Sequence, residues 1–503
     1  MLGTVLESLS DRRLGRFLVL LLLCQALCFI IGSLVAPAPS SVMSMLGTKC
    51  IDKNYNSTKW YWRRGKQPCE SIGDFDSPIV EEQMITANHI IFSFQIPIPK
   101  DGFVLDYSRW QQSLTAALYL DMPYSEGDGP APDAVMTLDA RLGYSDRGDP
   151  AGKWTEYASS KEYRHLACSI AQKRPGSMYS CSPVPLFRLG SLHHDFYLLN
   201  IRLPVDMFDT SEETGMNTKL GQINDMWVSF IHQNGGFTKV WLSLKTIFFP
   251  VVLVTVLWFW RRVAQLPRPP TLLENILVLL GASLSQLNCP LEYLTLALDC
   301  PWMPLLNDLR HGFFYATLLP FWLIFIGEHI MTDNKAISRG LYVLGVLLVL
   351  SGCLVPFAFD CVHYGRQLSN PFYAQRASGT LAMGMAVLKC ILGGVYFCFL
   401  SYLIWKAFTD IGRRYQSLAN KDQPNELSRP TFKRYRAMMA ATHICAALTI
   451  IFIVLLRVSE AQATGYENIK LEYTSGFFTG VYGTWNIYTF SLLCLYAPSR
   501  IHA

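Results

Sequence analysis

The chain has 503 residues, 51% of them hydrophobic, and a formal net charge of only +5 at pH 7. Its mean hydropathy of +0.22 argues against a single soluble domain, because a soluble chain of this length needs a more polar composition. We therefore expect a membrane protein, in which the position of the charges along the chain matters more than their sum.

The first 36 residues predict a membrane anchor. Arg12, Arg13 and Arg16 precede an uncharged run over residues 17–36. A run of this length, at about 1.5 Å per residue, is long enough to cross roughly 30 Å of hydrocarbon. A cleaved signal peptide is the alternative, but the apolar region of such a peptide is usually shorter. Since flanking arginines stay in the cytosol, we expect residues 1–16 to be cytosolic.

Residues 37–239 show the alternation of an antiparallel β-sandwich. Apolar and polar side chains alternate over residues 89–99, 134–142, 196–203 and 223–232. This two-residue period is typical of strands with one buried face. Residues 110–120 fit either a helix or another strand. Three large aromatic side chains are expected in the core of this sandwich, namely Trp154, Tyr163 and Trp227.

Four cysteines and one sequon indicate that the sandwich lies in an oxidising compartment. Cys50, Cys69, Cys168 and Cys181 form an even set in a polar segment, which is typical of disulfides in secreted domains. The spacing favours the pairs Cys50–Cys69 and Cys168–Cys181, although four cysteines allow three pairings. Asn56 begins an Asn-Ser-Thr sequon, and such a site is glycosylated only in the secretory lumen.

The junction at residues 231–263 joins this polar segment to the apolar half of the chain. Asn234, Gly235 and Gly236 predict a turn that acts as a hinge, because glycine adopts positive φ without strain. Residues 240–260 then carry a single charge, Lys245. They are long and apolar enough for a second membrane span.

Six further apolar runs predict a seven-helix bundle over residues 240–497. These runs cover residues 271–291, 307–330, 341–359, 381–406, 435–457 and 475–496. With eight spans in all, both termini lie on the same side, so residues 498–503 are expected in the cytosol. The connection 407–434 has six basic residues, whereas the connections on the opposite side have three, and this asymmetry places that connection in the cytosol.

Ionisable side chains inside apolar runs are functional candidates, because their burial in a membrane is costly. Lys389 and His443 lie too deep in their runs to reach an interface, whereas Arg310 opens the fourth span. Sequence signatures of hydrolases, metalloproteases and nucleotide-binding enzymes are missing from the chain. We therefore expect no enzyme, no metal and no cofactor. The basic connection lacks interleaved aromatic residues, so we expect no nucleic acid as a partner.

The eighth span is rich in glycine and aromatic residues. Gly476, Gly480 and Gly483 fall at spacings of four and three residues, so one face of the helix is nearly bare backbone. Such a face either packs closely against another helix or borders a groove for a long apolar ligand. The candidate residues for that groove are Arg310, Phe313, Phe314, Tyr315, Phe477, Phe478, Gly480, Tyr482 and Trp485.

Several motifs in the chain resemble those of the Wntless family. They are residues 197–205 (YLLNIRLPV), 232–241 (HQNGGFTKVW), 268–274 (RPPTLLE), 312–322 (GFFYATLLPFW), 370–373 (NPFY) and 477–488 (FFTGVYGTWNIY). The resemblance runs from the first span to Ser499. It implies one helix, a luminal sandwich related to the GOLD fold, and a seven-helix bundle like that of G-protein-coupled receptors.

The resemblance also implies a function, namely carrying acylated Wnt proteins through the secretory pathway. The acyl chain would enter the bundle, and the sandwich would hold the protein part of the cargo. We expect a multi-pass protein of the endoplasmic reticulum, Golgi, plasma membrane and endosomes, with membrane lipids and cytosolic trafficking machinery as further partners. Members of the family usually have a longer cytosolic tail than the residues after Ser499 provide. The alternatives are a seven-helix signalling receptor and a lipid-modifying enzyme or transporter.

Overall fold

The structure is a computed structural model of the whole chain. It describes residues 4–54, 59–62, 69–73, 75, 78–98, 105–127, 129–132, 134–150, 152–206, 215–329, 335–373, 379–419, 428–462 and 474–499.

Eleven helices lie in these ranges. They are α1 (Val5–Ser8), α2 (Asp11–Ile30, extended by a π-helical turn over Ile31–Val35), α3 (Pro78–Glu82), α4 (Gly235–Ala264), α5 (Leu272–Asn288), α6 (Leu294–Ala297), α7 (Met303–His329), α8 (Lys335–Ser369), α9 (Gly379–Ala419), α10 (Ser428–Gln462) and α11 (Thr474–Leu495). Helix α2 and the seven long helices that follow α3 form one bundle, which we call the bundle.

Twelve strands lie in the described residues between α2 and α4. They are β1 (Ser40–Leu46), β2 (Thr48–Ile51), β3 (Ser71–Ile72), β4 (Ile90–Ile96), β5 (Leu114–Asp121), β6 (Val135–Ser145), β7 (Thr155–His165), β8 (Cys168–Ser169), β9 (Ser180–Cys181), β10 (Val184–Leu189), β11 (Phe196–Arg202) and β12 (Asp225–Gln233). One antiparallel sheet has the order β1-β12-β5-β10 and the other β3-β2-β4-β11-β6-β7. We call this unit the β domain.

The two antiparallel sheets confirm the predicted sandwich. Phe94 of β4, Leu142 of β6 and Phe230 of β12 are fully buried in one hydrophobic core. All four predicted strands are present, and the ambiguous residues 110–120 contain most of strand β5. The prediction of three core aromatics is wrong, because alternation does not tell which face of a sheet is covered. Tyr163 and Trp227 are exposed and Trp154 is only half-buried.

The two disulfides that the cysteine spacing favours are both formed. Cys50 is bonded to Cys69, and Cys168 is bonded to Cys181 across the small sheet of β8 and β9. These bonds close short loops at two edges of the β domain. The predicted glycosylation site, Asn56, lies outside the described residues.

Six of the described helices are long and apolar enough to cross a membrane. They cover Asp11–Val35, Gly235–Ala264, Leu272–Ala297, Met303–Glu328, Cys390–Asp410 and Lys433–Ile453. Helices α8 and α11 occupy the positions of the other two predicted spans, but they are not among these six. The count of eight membrane crossings therefore stays a prediction.

The β domain enters and leaves the bundle through neighbouring strands. Strand β1 follows α2 and pairs with β12, which leads into α4, so that Ser40 lies opposite Gln233. Asn234 caps α4, because its side chain accepts a hydrogen bond from the backbone N–H of Gly236 at 2.9 Å. Gly235 and Gly236 form the first turn of α4, and positive φ is absent from both. The predicted turn with positive φ is therefore wrong.

Close packing explains the two glycines at this junction. A Cβ atom on Gly236 would lie 2.9 Å from a ring carbon of Pro37, and one on Gly235 would lie 3.1 Å from Cβ of Trp110. The backbone N–H of Asn234 also donates to the carbonyl of Pro39 at 2.9 Å. These contacts hold the exit of the β domain against its entry, so the junction is a packed corner in this structure.

The loop after α8 inserts an aromatic ring into the β domain. Phe372 is fully buried in the core of the sandwich, with its ring 5.8 Å from that of Phe187. Arg164 donates to the carbonyl of Phe372 at 2.5 Å, and the backbone N–H of Arg188 donates to the carbonyl of Pro371 at 3.0 Å. Helix α8 is thereby fixed to strands β7 and β10.

Replacing this inserted ring should loosen α8 from the β domain. We expect Phe372→Ala to cost about 3–5 kcal/mol, the usual loss for a buried phenylalanine, and to lower the melting temperature of the purified protein. The matched control is Tyr373→Ala, since Tyr373 is only half-buried and contacts Arg366 and His363 of α8 instead. Equal melting temperatures for the two variants would contradict the assigned role of Phe372.

Candidate functional site

A cluster of buried charges lies at the end of the bundle that faces the β domain, which we call the β-domain end. Lys245 of α4 and Arg310 of α7 both approach Oε1 of Glu292, which follows α5. The distance from Arg310 Nη1 to that oxygen is 3.4 Å, and all three side chains are at least 97% buried. Two cations face one carboxylate here, so the cluster has an excess positive charge that other groups must offset.

The excess positive charge is offset by the last carbonyls of α5, to which Arg310 donates hydrogen bonds. Its guanidinium donates to the carbonyls of Gln286 at 2.6 Å and Leu287 at 2.7 Å, and to that of Cys289. The last carbonyls of a helix have no partner inside the helix and carry partial negative charge. The structure therefore gives Arg310 a structural role, and its predicted contact with cargo would require it to leave these carbonyls.

A chain of hydrogen bonds connects α5 to α11 beside the charges. The hydroxyl of Tyr482 donates to Oδ1 of Asn288 at 2.6 Å, and Nδ2 of Asn288 donates to Oδ1 of Asn486 at 2.6 Å. Nδ2 of Asn486 in turn donates to the carbonyl of Tyr482 at 2.9 Å. Because every member is buried, the chain fixes the rotation of α11 relative to α5.

An aromatic cluster brings together five of the predicted site residues. The ring of Trp485 lies 5.3 Å from Phe314 and 5.7 Å from Tyr315 of α7. Phe452 of α10 lies 5.3 Å from Trp485 and 5.3 Å from Phe478. Phe452 was missed in the sequence, because α10 offers no glycine or aromatic pattern around it. We call Phe314, Tyr315, Phe452, Phe477, Phe478 and Trp485 the aromatic cluster.

Two other candidates lie outside the aromatic cluster. Phe313 faces the outer surface of α7 with 43% of its area exposed. Tyr482 is buried on the far side of α11, with its ring 4.7 Å from Trp241 and 5.9 Å from Phe248 of α4. The sequence thus grouped residues of α7 and α11 that lie on different faces of these helices.

The glycine face of α11 is covered by α2. A Cβ atom on Gly480 would lie 2.2 Å from the ring of Phe29, and one on Gly476 would lie 2.1 Å from Oγ of Ser33. Nε2 of Gln25 donates to the carbonyl of Gly480 at 2.8 Å. The alternative of close helix packing is therefore the correct one, and the assignment of Gly480 to a ligand groove is wrong in this structure.

Helix α9 is loosely packed compared with α4, α5, α7 and α10. Its exposed side chains include Val387, Leu388, Cys390, Ile391, Leu392, Val395 and Phe399. At 3.6 residues per turn they cover about 200° of the circumference of the helix. The most apolar stretch of α7 is 61% buried inside the structure, whereas the most apolar stretch of α9 is only 17% buried.

The contact between α8 and α9 is looser than that between α7 and α8. A Cβ atom on Gly312 of α7 would lie 2.9 Å from the ring of Phe357 of α8. The corresponding atom on Gly352 of α8 would lie 3.9 Å from Leu392 of α9. Leu392 therefore faces α8, and Ile391 lies one residue, or about 100°, away on the outer side.

The sequence singled out two ionisable residues, Lys389 in α9 and His443 in α10, and the structure describes the side chain of His443. The ring of His443 stacks on Phe397 of α9 with centroids 5.2 Å apart, and its Nδ1 is buried without a hydrogen-bond partner among the described residues. The side chain of Lys389 lies outside the described part of the chain. His443 thus contributes to the packing between α9 and α10.

Comparisons with known proteins match both halves of the chain. The family model "Wntless, GOLD domain" matches residues 48–233, and the family model "Wntless-like, transmembrane domain" matches residues 234–500. "Protein wntless" of Drosophila mojavensis and that of Drosophila virilis are each 43% identical to the chain over 514 residues. That of Drosophila grimshawi is 42% identical. Each alignment covers 99% of this chain and 90% of the relative.

Filling the glycine face of α11 should separate α2 from the bundle. In Gly480→Leu the new side chain must displace the ring of Phe29, so we expect lower thermal stability and faster alkylation of Cys28, which is buried against Gly483. Labelling at each cysteine is read by mass spectrometry. The matched control is Gly394→Leu, because no atom lies within 4 Å of a Cβ at Gly394. Unchanged labelling of Cys28 in Gly480→Leu would contradict the contact.

Proposed function

The chain belongs to the Wntless family, and we propose that it binds acylated Wnt proteins in the secretory pathway and carries them to the cell surface. In this proposal the β domain holds the protein part of the cargo and the bundle shields the acyl chain from water. The signalling-receptor alternative is not favoured, because the similarity to Wntless relatives covers 99% of the chain.

The observation that carries the proposal is that defined contacts hold the β domain in one position on the bundle. Nε2 of Gln112 donates to Oγ1 of Thr295 at 3.1 Å, and Phe372 of the α8 loop is buried in the sandwich. A cargo that contacts both the β domain and the bundle therefore meets them in one fixed relative position. A carrier needs such a relation, since the acyl group is covalently attached to a defined position on the protein.

Exposing an acyl chain to water has a large free-energy cost. At about 0.8 kcal/mol per CH₂, a chain of roughly sixteen carbons in water costs on the order of 10 kcal/mol. An apolar bundle beneath a luminal domain removes this cost until the cargo is handed over. Disulfides in the β domain and the basic connection after α9 support a luminal β domain and cytosolic termini.

We place the path of the acyl chain between α8 and α9. The glycine face of α11 is occupied by α2, so it supports no entry there. The looser contact between α8 and α9 favours entry at this side of the bundle. Phe314 and Phe452 of the aromatic cluster would then form the inner wall, because they belong to the hydrophobic core onto which α9 packs.

The endoplasmic reticulum, Golgi, plasma membrane and endosomes are the compartments through which this carrier would pass. Trafficking machinery on the cytosolic side is a further expected partner. Both follow from the proposed transport role. Neither requires an enzymatic activity, and the family is one of cargo receptors.

A bulky side chain between α8 and α9 should block capture of acylated cargo. We expect Leu392→Trp to reduce copurification of an acylated Wnt by about tenfold or more, because the indole fills the path and burial of each lost CH₂ is worth about 0.8 kcal/mol. The matched control is Ile391→Trp, which makes the same change on the outer side of α9 and should bind as the wild type.

The measurement needs two further arms. Melting temperature and export from the endoplasmic reticulum show whether each variant folds, and a Wnt variant without its acyl group reports the contacts of the β domain alone. If folded Leu392→Trp protein captures acylated Wnt as well as Ile391→Trp does, the chain takes another path. If the wild type fails to distinguish acylated from unacylated Wnt, the shielding function itself is wrong.

A further inference from the structure

A trough with apolar walls lies between α2 and α10, at the end of the bundle opposite the β domain. Its volume is about 500 Å³. It is lined by Leu6, Asp11, Leu14, Leu18, Lys433, Arg434, Ala437, Met438, Ala441 and Leu495. Three neighbouring residues of this lining are charged, and we call their part of the trough its mouth; the other seven are apolar, and we call their part its apolar depth. The trough is separate from the aromatic cluster, and no residue of the proposed cargo path lines it.

The N-terminal residues form the floor of the trough. The backbone N–H of Val5 donates to the carbonyl of Ala497 at 2.9 Å, and Leu6 is 1% exposed. Arg434 of α10 donates through Nη1 to the carbonyl of Leu6 at 2.6 Å. Helix α1 is thus fixed across the end of the bundle, and the space between α2 and α10 is closed on that side.

The mouth of the trough has an excess of positive charge. Arg434 pairs with Asp11 at 2.5 Å, but the carboxylate of Asp11 is 77% exposed, so water screens much of its charge. Lys433 is exposed and forms no ion pair within 4.0 Å among the described residues. Arg12, Arg13 and Arg16 follow Asp11 on α2, and they add to the positive potential at this end.

We propose that this trough binds an anionic glycerophospholipid of the adjoining leaflet. The headgroup pairs with Lys433, beside which Arg434 adds positive charge while it stays bonded to Leu6 and Asp11. One acyl chain lies against Leu14, Leu18 and Met438. A basic mouth above an apolar space between membrane helices is the arrangement that recognises anionic lipid headgroups.

The position of the trough supports a lipid over a soluble anion. Leu14 and Leu18 belong to the helix Asp11–Val35, and Ala437 and Ala441 belong to the helix Lys433–Ile453, both of which can cross a membrane. A space between such helices faces acyl chains, which fill it without the cost of exposing apolar surface. A soluble anion would use only the mouth and would leave the apolar depth unfilled.

The size of the trough provides the first test. The full-length protein is reconstituted in nanodiscs with equal amounts of phosphatidylserine and phosphatidylcholine, and the lipid retained after extraction is measured by native mass spectrometry. We expect Ala441→Phe, which fills the trough, to lose the retained phosphatidylserine. Ala440→Phe is the matched control, since Ala440 is exposed on the same helix and does not line the trough. Equal retention by the two variants would overturn the proposal.

The charge at the mouth provides a second test, which does not depend on the folding of a core variant. We expect Lys433→Gln to lower the ratio of retained phosphatidylserine to phosphatidylcholine about fivefold, the effect of one basic residue near a membrane surface. Arg436→Gln is the control, because Arg436 stacks over Phe408 and lies outside the trough. No preference for phosphatidylserine in the wild type would overturn the proposal.

A third arm separates the lipid from its headgroup. Glycerophosphoserine, which has the same headgroup and no acyl chains, is added in excess before extraction. We expect it to leave the retained phosphatidylserine unchanged, because it cannot fill the apolar depth. If it displaces the lipid fully, the mouth is a soluble-anion site and the lipid proposal is wrong. Cargo capture plays no part in these measurements, so they stand or fall independently of the transport function.

Discussion

The arrangement of the bundle depends on the buried charges of Lys245, Glu292 and Arg310. Removing one partner of a buried ion pair typically costs about 3–5 kcal/mol, because the other charge is left without compensation. Here the excess cation is offset by the last carbonyls of α5, to which Arg310 donates. The cluster therefore fixes α4, the end of α5 and the start of α7 in a single arrangement. It also fixes the segment around Glu292, on which Gln112 of the β domain rests.

This fixed arrangement divides the bundle into two parts with different packing. Helix α2 packs on the glycines of α11, and α11 is connected to α5 through Tyr482 and Asn288. These helices form the closely packed part, onto which α10 packs through Phe452. Helix α9 contacts α7 through the hydrogen bond from the hydroxyl of Tyr396 to the carbonyl of Leu319 at 2.9 Å and contacts α10 through Phe397, but a wide arc of its surface is exposed. Entry of a large ligand requires helices to separate, and the loose part is where separation disturbs the fewest buried groups.

Much of the architecture could be predicted from local patterns in the sequence. Alternation identified four of the twelve described strands, hydropathy identified the long helices, and the short spacing of the cysteines favoured both disulfides. The site could be predicted less well, because its contacts connect residues that are distant in the chain. The glycine spacing of α11 showed that one face was bare, but it could not show that Phe29 and Ser33 cover it. The motif containing Phe372 was recognised, yet nothing local indicates that its ring is buried in another domain.

The open side of α9 changes where the affinity for an acylated cargo must come from. Lipid tails are as apolar as leucine side chains, so an acyl chain that moves from the bilayer into the bundle gains little hydrophobic free energy. The gain of about 0.8 kcal/mol per CH₂ applies only against water. A bundle that opens laterally therefore retains the chain against water but not against the bilayer. Retention against the bilayer must come from contacts with the protein part of the cargo, and these contacts are useful only if the β domain is held in place. The insertion of Phe372 into the β domain and the contact of Gln112 with the segment around Glu292 thus contribute to cargo binding without touching the acyl chain.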